Sequence, residues 1–227
     1  MDDLWVCELG LVPYADALAL QLALRAARQA DAIPDTLLLL EHPPVYTRGR
    51  RSGDDELPLG ADAYAARGID VVLVDRGGRV TYHGPGQLVG YPIMRIGDVV
   101  GYLRTVERAI IAALAAEGVP ALGGGERPTG VWSGDRKIAS IGVHVSRRVT
   151  THGFAVNAVN DLEPFSWIVP CGMPEVEMTS VARETGRSGT LPGLRDRIAG
   201  EFARVHARSP RRVSPARLQS ALGAPVG

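Results

Sequence analysis

Short, strand-like apolar segments recur along this chain, while its long helical patterns are few and widely separated. Residues 14–31 are rich in Ala, Leu, Gln and Arg and read as a helix, with Pro34 closing the segment. Residues 99–117 carry Val99, Leu103, Val106, Ile110, Ile111 and Leu114 at helical spacing, and Gly118 stops them. A C-terminal helix is read over 190–207, and short helices over 61–67 and 215–222. Strands are read at 4–9, 36–41, 70–75, 88–94 and 152–159, with a hairpin of 131–133 and 137–145 turning at Gly134-Asp135. A doubly wound parallel sheet needs a helix between nearly every pair of strands, and this chain has too few. The pattern therefore predicts a mixed α/β (α+β) fold, its central sheet mostly antiparallel, with helices packed on one side. No linker or internal repeat divides the 227 residues, so a single domain over 1–227 is expected.

Charge narrows the function classes. Lys+Arg and Asp+Glu are both 25, a formal charge of zero, whereas a broad nucleic-acid surface needs a basic excess. The apolar run at residues 36–40 is far too short to cross a bilayer. The acidic start, Met1-Asp2-Asp3, lacks the basic region of a signal peptide, and a cytoplasmic location is expected. Of the 25 basic side chains, 24 are Arg, and the one Lys is Lys137. Arg and Lys are interchangeable at most exposed sites but not where an amine must be compact or lose a proton.

The chemistry-bearing residues lie in a few places. Arg76-Gly77-Gly78-Arg79-Val80-Thr81-Tyr82-His83-Gly84-Pro85-Gly86-Gln87 is the densest Gly/Pro stretch. It matches neither the phosphate-loop pattern nor GxGxxG before a helix. Its glycines let backbone N–H groups approach a ligand, and Arg76 and Arg79 can neutralise an anion. His42 reads as part of a strand-ending turn and His206 as a solvated helix residue, while His83, His144 and His152 fall nearer the expected site. None has zinc-ligand spacing, so no metal is expected. Ser133 and Ser140 lie in the hairpin, outside any GxSxG elbow. Cys7 sits in an apolar strand and reads as a buried hydrophobe. Cys171, in Pro170-Cys171-Gly172-Met173-Pro174, sits in a fixed turn that exposes a thiol. Its natural activator is a His or a basic amine, and a strand beginning at Lys137 can deliver one.

Five motifs, in order, carry a family resemblance: Glu41-His42-Pro43-Pro44-Val45-Tyr46-Thr47; the 76–87 stretch; Lys137-Ile138-Ala139-Ser140-Ile141-Gly142-Val143; His152-Gly153-Phe154-Ala155-Val156-Asn157; and Pro170-Cys171-Gly172-Met173. Spread over residues 41–179, they resemble the lipoyl(octanoyl) transferase family, which is similar in fold to lipoate and biotin protein ligase catalytic domains. The resemblance implies a mixed central sheet, a smaller second sheet and flanking helices. It implies an acyltransferase that moves an octanoyl or lipoyl group from acyl carrier protein to a lysine of a lipoyl domain. The acceptors would belong to 2-oxoacid dehydrogenase complexes and the glycine cleavage H protein. It further implies a Cys171 thioester with Lys137 as its partner; no cofactor, no nucleic-acid or membrane partner and a monomer are expected. Acyl-chain contacts are implied at residues 76–83, at Ser140, Ile141 and Gly142, and at Gly153, Phe154 and Ala155, with glycines leaving room for the chain. Backbone N–H groups near Cys171 would hold the oxyanion. The rival readings are an ATP-dependent lipoate or biotin ligase, which needs no nucleophilic thiol, and a silent acyl-binding protein, which needs neither Cys171 nor Lys137.

Overall fold

Four consecutive leucines, Leu37 to Leu40, organise the layers of the molecule. A computed structural model describes residues 2–125, 127–169 and 175–223. Its elements begin with β1 (Asp3–Leu11), α1 (Tyr14–Gln29), β2 (Asp35–Glu41), β3 (Val45–Arg48), α2 (Ala61–Ala65), β4 (Asp70–Leu73), β5 (Thr81–His83) and β6 (Gln87–Ile93). They continue with α3 (Val99–Ala116), β7 (Leu122–Gly123), β8 (Gly130–Ser133), β9 (Arg136–Ser146) and β10 (Val149–Asn157). The last are α4 (Val181–Thr185), α5 (Leu191–Val205), β11 (Ser209–Arg212) and α6 (Pro215–Gly223). The large sheet has the order β11-β1-β2-β6-β10-β9-β8-β7, and a small one the order β4-β3-β5. β11, β1 and β2 run parallel, and every pairing from β2 to β7 is antiparallel. The sheet is mixed and mostly antiparallel, as expected, with a smaller second sheet beside it.

The expectation of helices on one side is corrected: they cover both faces. Leu37 and Leu39 of β2 join Val106, Ile110, Ile198 and Phe202 from α3 and α5 in one core layer. Leu38 and Leu40 join Ala17, Leu24 and Leu218 from α1 and α6 in the other. Successive strand residues point to opposite faces, so an unbroken leucine run is buried only if both faces are covered. α3 is started by Asp98, whose carboxylate accepts from the Val100 and Gly101 amides at 3.3 and 2.5 Å. His206, expected to be solvated, instead packs 4.4 Å from the Phe202 ring and 5.7 Å from Tyr102. Burial, and then Arg208, hold its pKa down at about 4.

The small sheet positions the Gly/Pro-rich stretch. β3, which the sequence reading left unassigned, pairs parallel with β4 and antiparallel with β5. Its Tyr46 is fully buried and donates to the Pro164 carbonyl at 2.7 Å. The connection from β4 to β5 then crosses to the large sheet. β8 pairs with β9 as far as Ser140, and beyond it the Gly77 amide donates to the Val143 carbonyl at 2.9 Å. No helix among the described residues is long and apolar enough to cross a membrane.

Candidate active site

Where that connection meets β9, β10 and the start of α3, a cavity of about 610 Å³ opens. Its wall includes Arg76, Gly77, Gly78 and Arg79, then Thr81 and His83 of β5. From the large sheet come Lys137, Ser140, Ile141 and Gly142 of β9 and Gly153, Phe154 and Ala155 of β10. Val80 and Tyr82 are absent from this wall. They are buried instead in a separate cluster with Tyr46, Tyr64 and Phe165, because alternation along the strand turns them away from Thr81 and His83. The sequence reading missed Tyr14, Tyr91, Val99 and Leu103, which complete the wall from α1, β6 and α3.

Two of the wall glycines, Gly142 and Gly153, are required by close approach of backbone. A Cβ on Gly142 would stand 2.7 Å from the Gly77 carbonyl oxygen, and one on Gly153 would stand 2.2 Å from that of Gly90. Both glycines admit protein backbone, so they close the wall rather than widen the cavity.

Charge in the wall has one sign. Arg51, Arg76, Arg79, Arg127 and Lys137 contribute to it, and no carboxylate among the described residues does. Glu56 and Asp135 pair with Arg79 and Arg127 at 2.5 and 2.7 Å. Buried Arg76 is held on Thr47, donating to its carbonyl and its hydroxyl oxygen, both at 2.7 Å.

Two histidines, His83 and His152, form a hydrogen-bonded end to the cavity. Burial, then His42, push the His83 pKa well below the usual imidazole range. Its Nδ1 lies 2.8 Å from Gln87 Oε1 and its Nε2 lies 3.4 Å from the Thr47 hydroxyl. His152, with φ +57°, reaches Asp75 through Nε2 at 2.7 Å and the Tyr14 hydroxyl through Nδ1 at 3.3 Å. Burial lowers its pKa although Asp75 pulls the other way. His42 is buried between Tyr14 and Tyr91, bonded to the Tyr91 hydroxyl at 2.7 Å. His144 stands off, 3.7 Å from Asp75.

Lys137 is 2% exposed, the one lysine of the chain and one of its most deeply buried large side chains. Its Nζ lies 5.5 Å from the centre of the Trp132 ring, a cation–π distance. Gly130, on the neighbouring strand, makes space for it: a Cβ there would meet Lys137 Cε at 2.7 Å. The Lys137 amide donates to the Glu177 carbonyl at 2.8 Å, and the Thr179 amide donates to the Lys137 carbonyl at 2.9 Å. Cys171 lies outside the described residues. Before that stretch, the Val169 amide is tied to the Glu56 carbonyl at 3.0 Å; after it, Glu177 and Thr179 are tied to Lys137. Cys7 is fully buried, and burial, with Glu8 adding, pushes its thiol up to about 11. Such a thiol is inert.

Residues 13–203 match the model of the lipoyl protein ligase A/B catalytic domain. An octanoyltransferase from Acidothermus cellulolyticus is 50% identical over 201 residues, covering 85% of this chain and 87% of that protein. Another, from Solibacter usitatus, is 47% identical over 202 residues, covering 87% and 90%. Among solved structures, the putative lipoate protein ligase Ta0514 of T. acidophilum superimposes with a TM-score of 0.77 at 17% identity, covering 98% of this chain and 92% of that one. At that identity the likeness shows the fold alone.

Proposed function

Because the chain belongs to the lipoyl protein ligase A/B catalytic-domain family, we propose that it transfers an octanoyl group from acyl carrier protein to a lysine of a lipoyl domain, through a thioester on Cys171. It is an acyltransferase, and its relatives at 50% and 47% identity are named octanoyltransferases. The observation that carries the finer reading is the burial of the one lysine in the wall of a cavity whose other cations are all arginine.

In the first half-reaction the Cys171 thiolate attacks the donor's thioester carbonyl. A new C–S bond forms, and the bond to the carrier sulfur breaks once the tetrahedral intermediate collapses. The carrier leaves as a thiolate and takes its proton from the Lys137 ammonium, which leaves Lys137 neutral. An unperturbed thiol has a pKa of roughly 8.5 and is a few per cent ionised at neutral pH. An ammonium at Lys137 favours the thiolate. In the second half-reaction the acceptor's lysine amine attacks the acyl-enzyme and loses a proton as the amide forms. Lys137, once neutral, takes that proton, and the Cys171 thiolate departs. An arginine could do only the electrostatic part, because guanidinium stays protonated. The chain itself, lined by Ile141, Val143, Phe154 and Ala155, would lie away from water, with the neutral His83 and Tyr14 beside it. We assign the acceptors to lipoyl domains of 2-oxoacid dehydrogenase complexes and the glycine cleavage H protein, and the setting to the cytoplasm.

Thioester exchange is nearly balanced and thioester-to-amide transfer runs downhill, so the reaction needs no nucleotide. Octanoyl transfer from acyl carrier protein should proceed unchanged in EDTA and without ATP. A strict requirement for ATP and magnesium, with ATP–pyrophosphate exchange, would instead make the protein a ligase.

A further inference from the structure

Two buried carboxamides beside the cavity have no part in the scheme above. Gln87 of β6 and Asn157 of β10 face each other in register, each 1% exposed, and neither lines the cavity. Their hydrogen-bond directions are forced in sequence. The Thr179 carbonyl can only accept, so Asn157 presents its Nδ2 there, at 3.0 Å. Asn157 Oδ1 then accepts from Gln87 Nε2 at 2.9 Å and from Asn160 Nδ2 at 3.3 Å. Gln87 Nε2 also donates to the Tyr82 carbonyl at 3.1 Å. That leaves Gln87 Oε1 to accept, at 2.8 Å, from His83 Nδ1, which must carry the imidazole proton. At the other end, the Thr179 amide donates to the Lys137 carbonyl. An unbroken buried chain thus runs from a cavity residue, His83, through two side-chain amides to the backbone of Lys137.

We propose that Asn157, oriented by Gln87, is a positioning residue for Lys137. The inference rests on the reading of Lys137 as the catalytic amine. The contact it secures is slight by itself: Lys137 and Met178 form an isolated parallel bridge outside any ladder. Two side chains tether that bridge. Glu184 accepts from the Thr179 hydroxyl at 2.5 Å and from Arg136, next to Lys137. Asn157 holds the Thr179 carbonyl, on the residue whose amide bonds Lys137. Asn157→Asp turns the second tether into a repulsion, because a carboxylate then faces a carbonyl oxygen. Gln87→Glu breaks the same chain one step earlier, keeping the acceptor toward His83 but removing the donor toward Asn157.

The test is a double-mutant cycle read at Cys171. Acylation by an octanoyl thioester and iodoacetamide alkylation against pH are measured for the wild type, Asn157→Asp, Lys137→Ala and the double variant. Misplacing a reacting group by about 1 Å loses roughly 10²-fold, so Asn157→Asp should slow acylation by about that factor with the donor KM unchanged. The alkylation midpoint should move up toward that of Lys137→Ala. In the Lys137→Ala background the same substitution should change either readout by no more than about twofold, the usual error of additivity between independent sites. Equal losses in both backgrounds, or an unmoved alkylation profile, would overturn the proposal and leave Asn157 as a packing residue. If Asn157→Asp fails to fold, Gln87→Glu enters the same cycle with the same expected and contrary outcomes. If Lys137→Ala alone moves neither readout, the catalytic reading of Lys137 fails, and this inference with it.

Discussion

A single methyl group added at Gly130 tests how closely the sheet is built around Lys137. Gly130 has φ +149°, a conformation that L side chains rarely adopt. Its Cβ would stand 2.7 Å from Lys137 Cε and 2.7 Å from the Ala139 carbonyl oxygen. The carbonyl belongs to β9 and cannot retreat without opening the β8–β9 ladder, so the lysine stem must give way. Backbone strain of this kind amounts to about 1–3 kcal/mol, and overpacking a filled site to a further 1–3 kcal/mol or so. One relaxation relieves part of both, so a net loss of about 2–4 kcal/mol is expected. At this chain length each ~1 kcal/mol lowers the melting temperature by roughly 2–4 °C. Gly130→Ala should therefore melt roughly 5–15 °C lower. The displaced amine should also cost about 10²-fold in acylation. Calorimetry and single-turnover acylation followed by intact mass measure the two effects separately. A Gly130→Ala enzyme with unchanged melting temperature and unchanged acylation rate would refute the claim that Gly130 shapes the Lys137 site.

Lys137→Arg keeps the charge but not the proton transfer, and general acid–base help is worth about 10²–10⁴-fold; overall transfer should fall by at least roughly 10², and because the bulkier guanidinium must enter the same filled site, circular dichroism and a melting curve establish that the variant is folded. A folded Lys137→Arg enzyme with near wild-type turnover would leave only the electrostatic role. His206 and His42 are both held near 4 instead of the ordinary 6.5, chiefly by burial. On unfolding each takes up a proton between those values, so their contribution to stability is full above about pH 6.5 and is lost as pH falls toward about 4. His206→Phe keeps the ring against Phe202 and removes an Nε2 that lacks a hydrogen-bond partner among the described residues. It should flatten the acid side of a plot of melting temperature against pH, and an unchanged slope would contradict the assignment.

The cavity wall was legible in the sequence chiefly because its glycines and its lone lysine stand inside short, dense motifs. What alternation does within three residues was not. Thr81 and His83 line the cavity while Val80 and Tyr82 do not, and β5 is too short to display a period of two. β3 was hidden for a similar reason: four residues directly after Pro43-Pro44 look like the end of a turn. Tyr14 and Tyr91 join the wall through the packing of α1 and β6 against β10, a relation between distant segments that no local pattern carries. The second helical layer, by contrast, had a signal. The run Leu37 to Leu40 in β2 is buried on every residue, and a two-sided apolar strand demands helices on both faces. Gly130 carried no signal, and Asn157 stood in a motif with no role attached, because their importance lies in what their neighbours would lose.

The central claim is a covalent octanoyl thioester on Cys171, held beside an amine at Lys137. Its most direct test is intact-mass analysis with peptide mapping after incubation with octanoyl-acyl carrier protein in the absence of an acceptor. The account predicts one octanoyl adduct on Cys171, discharged when a lipoyl domain is added, absent in Cys171→Ala and retained in Cys7→Ala. An adduct on Cys7, or rapid octanoyl transfer with no acyl-enzyme at any time, would contradict it.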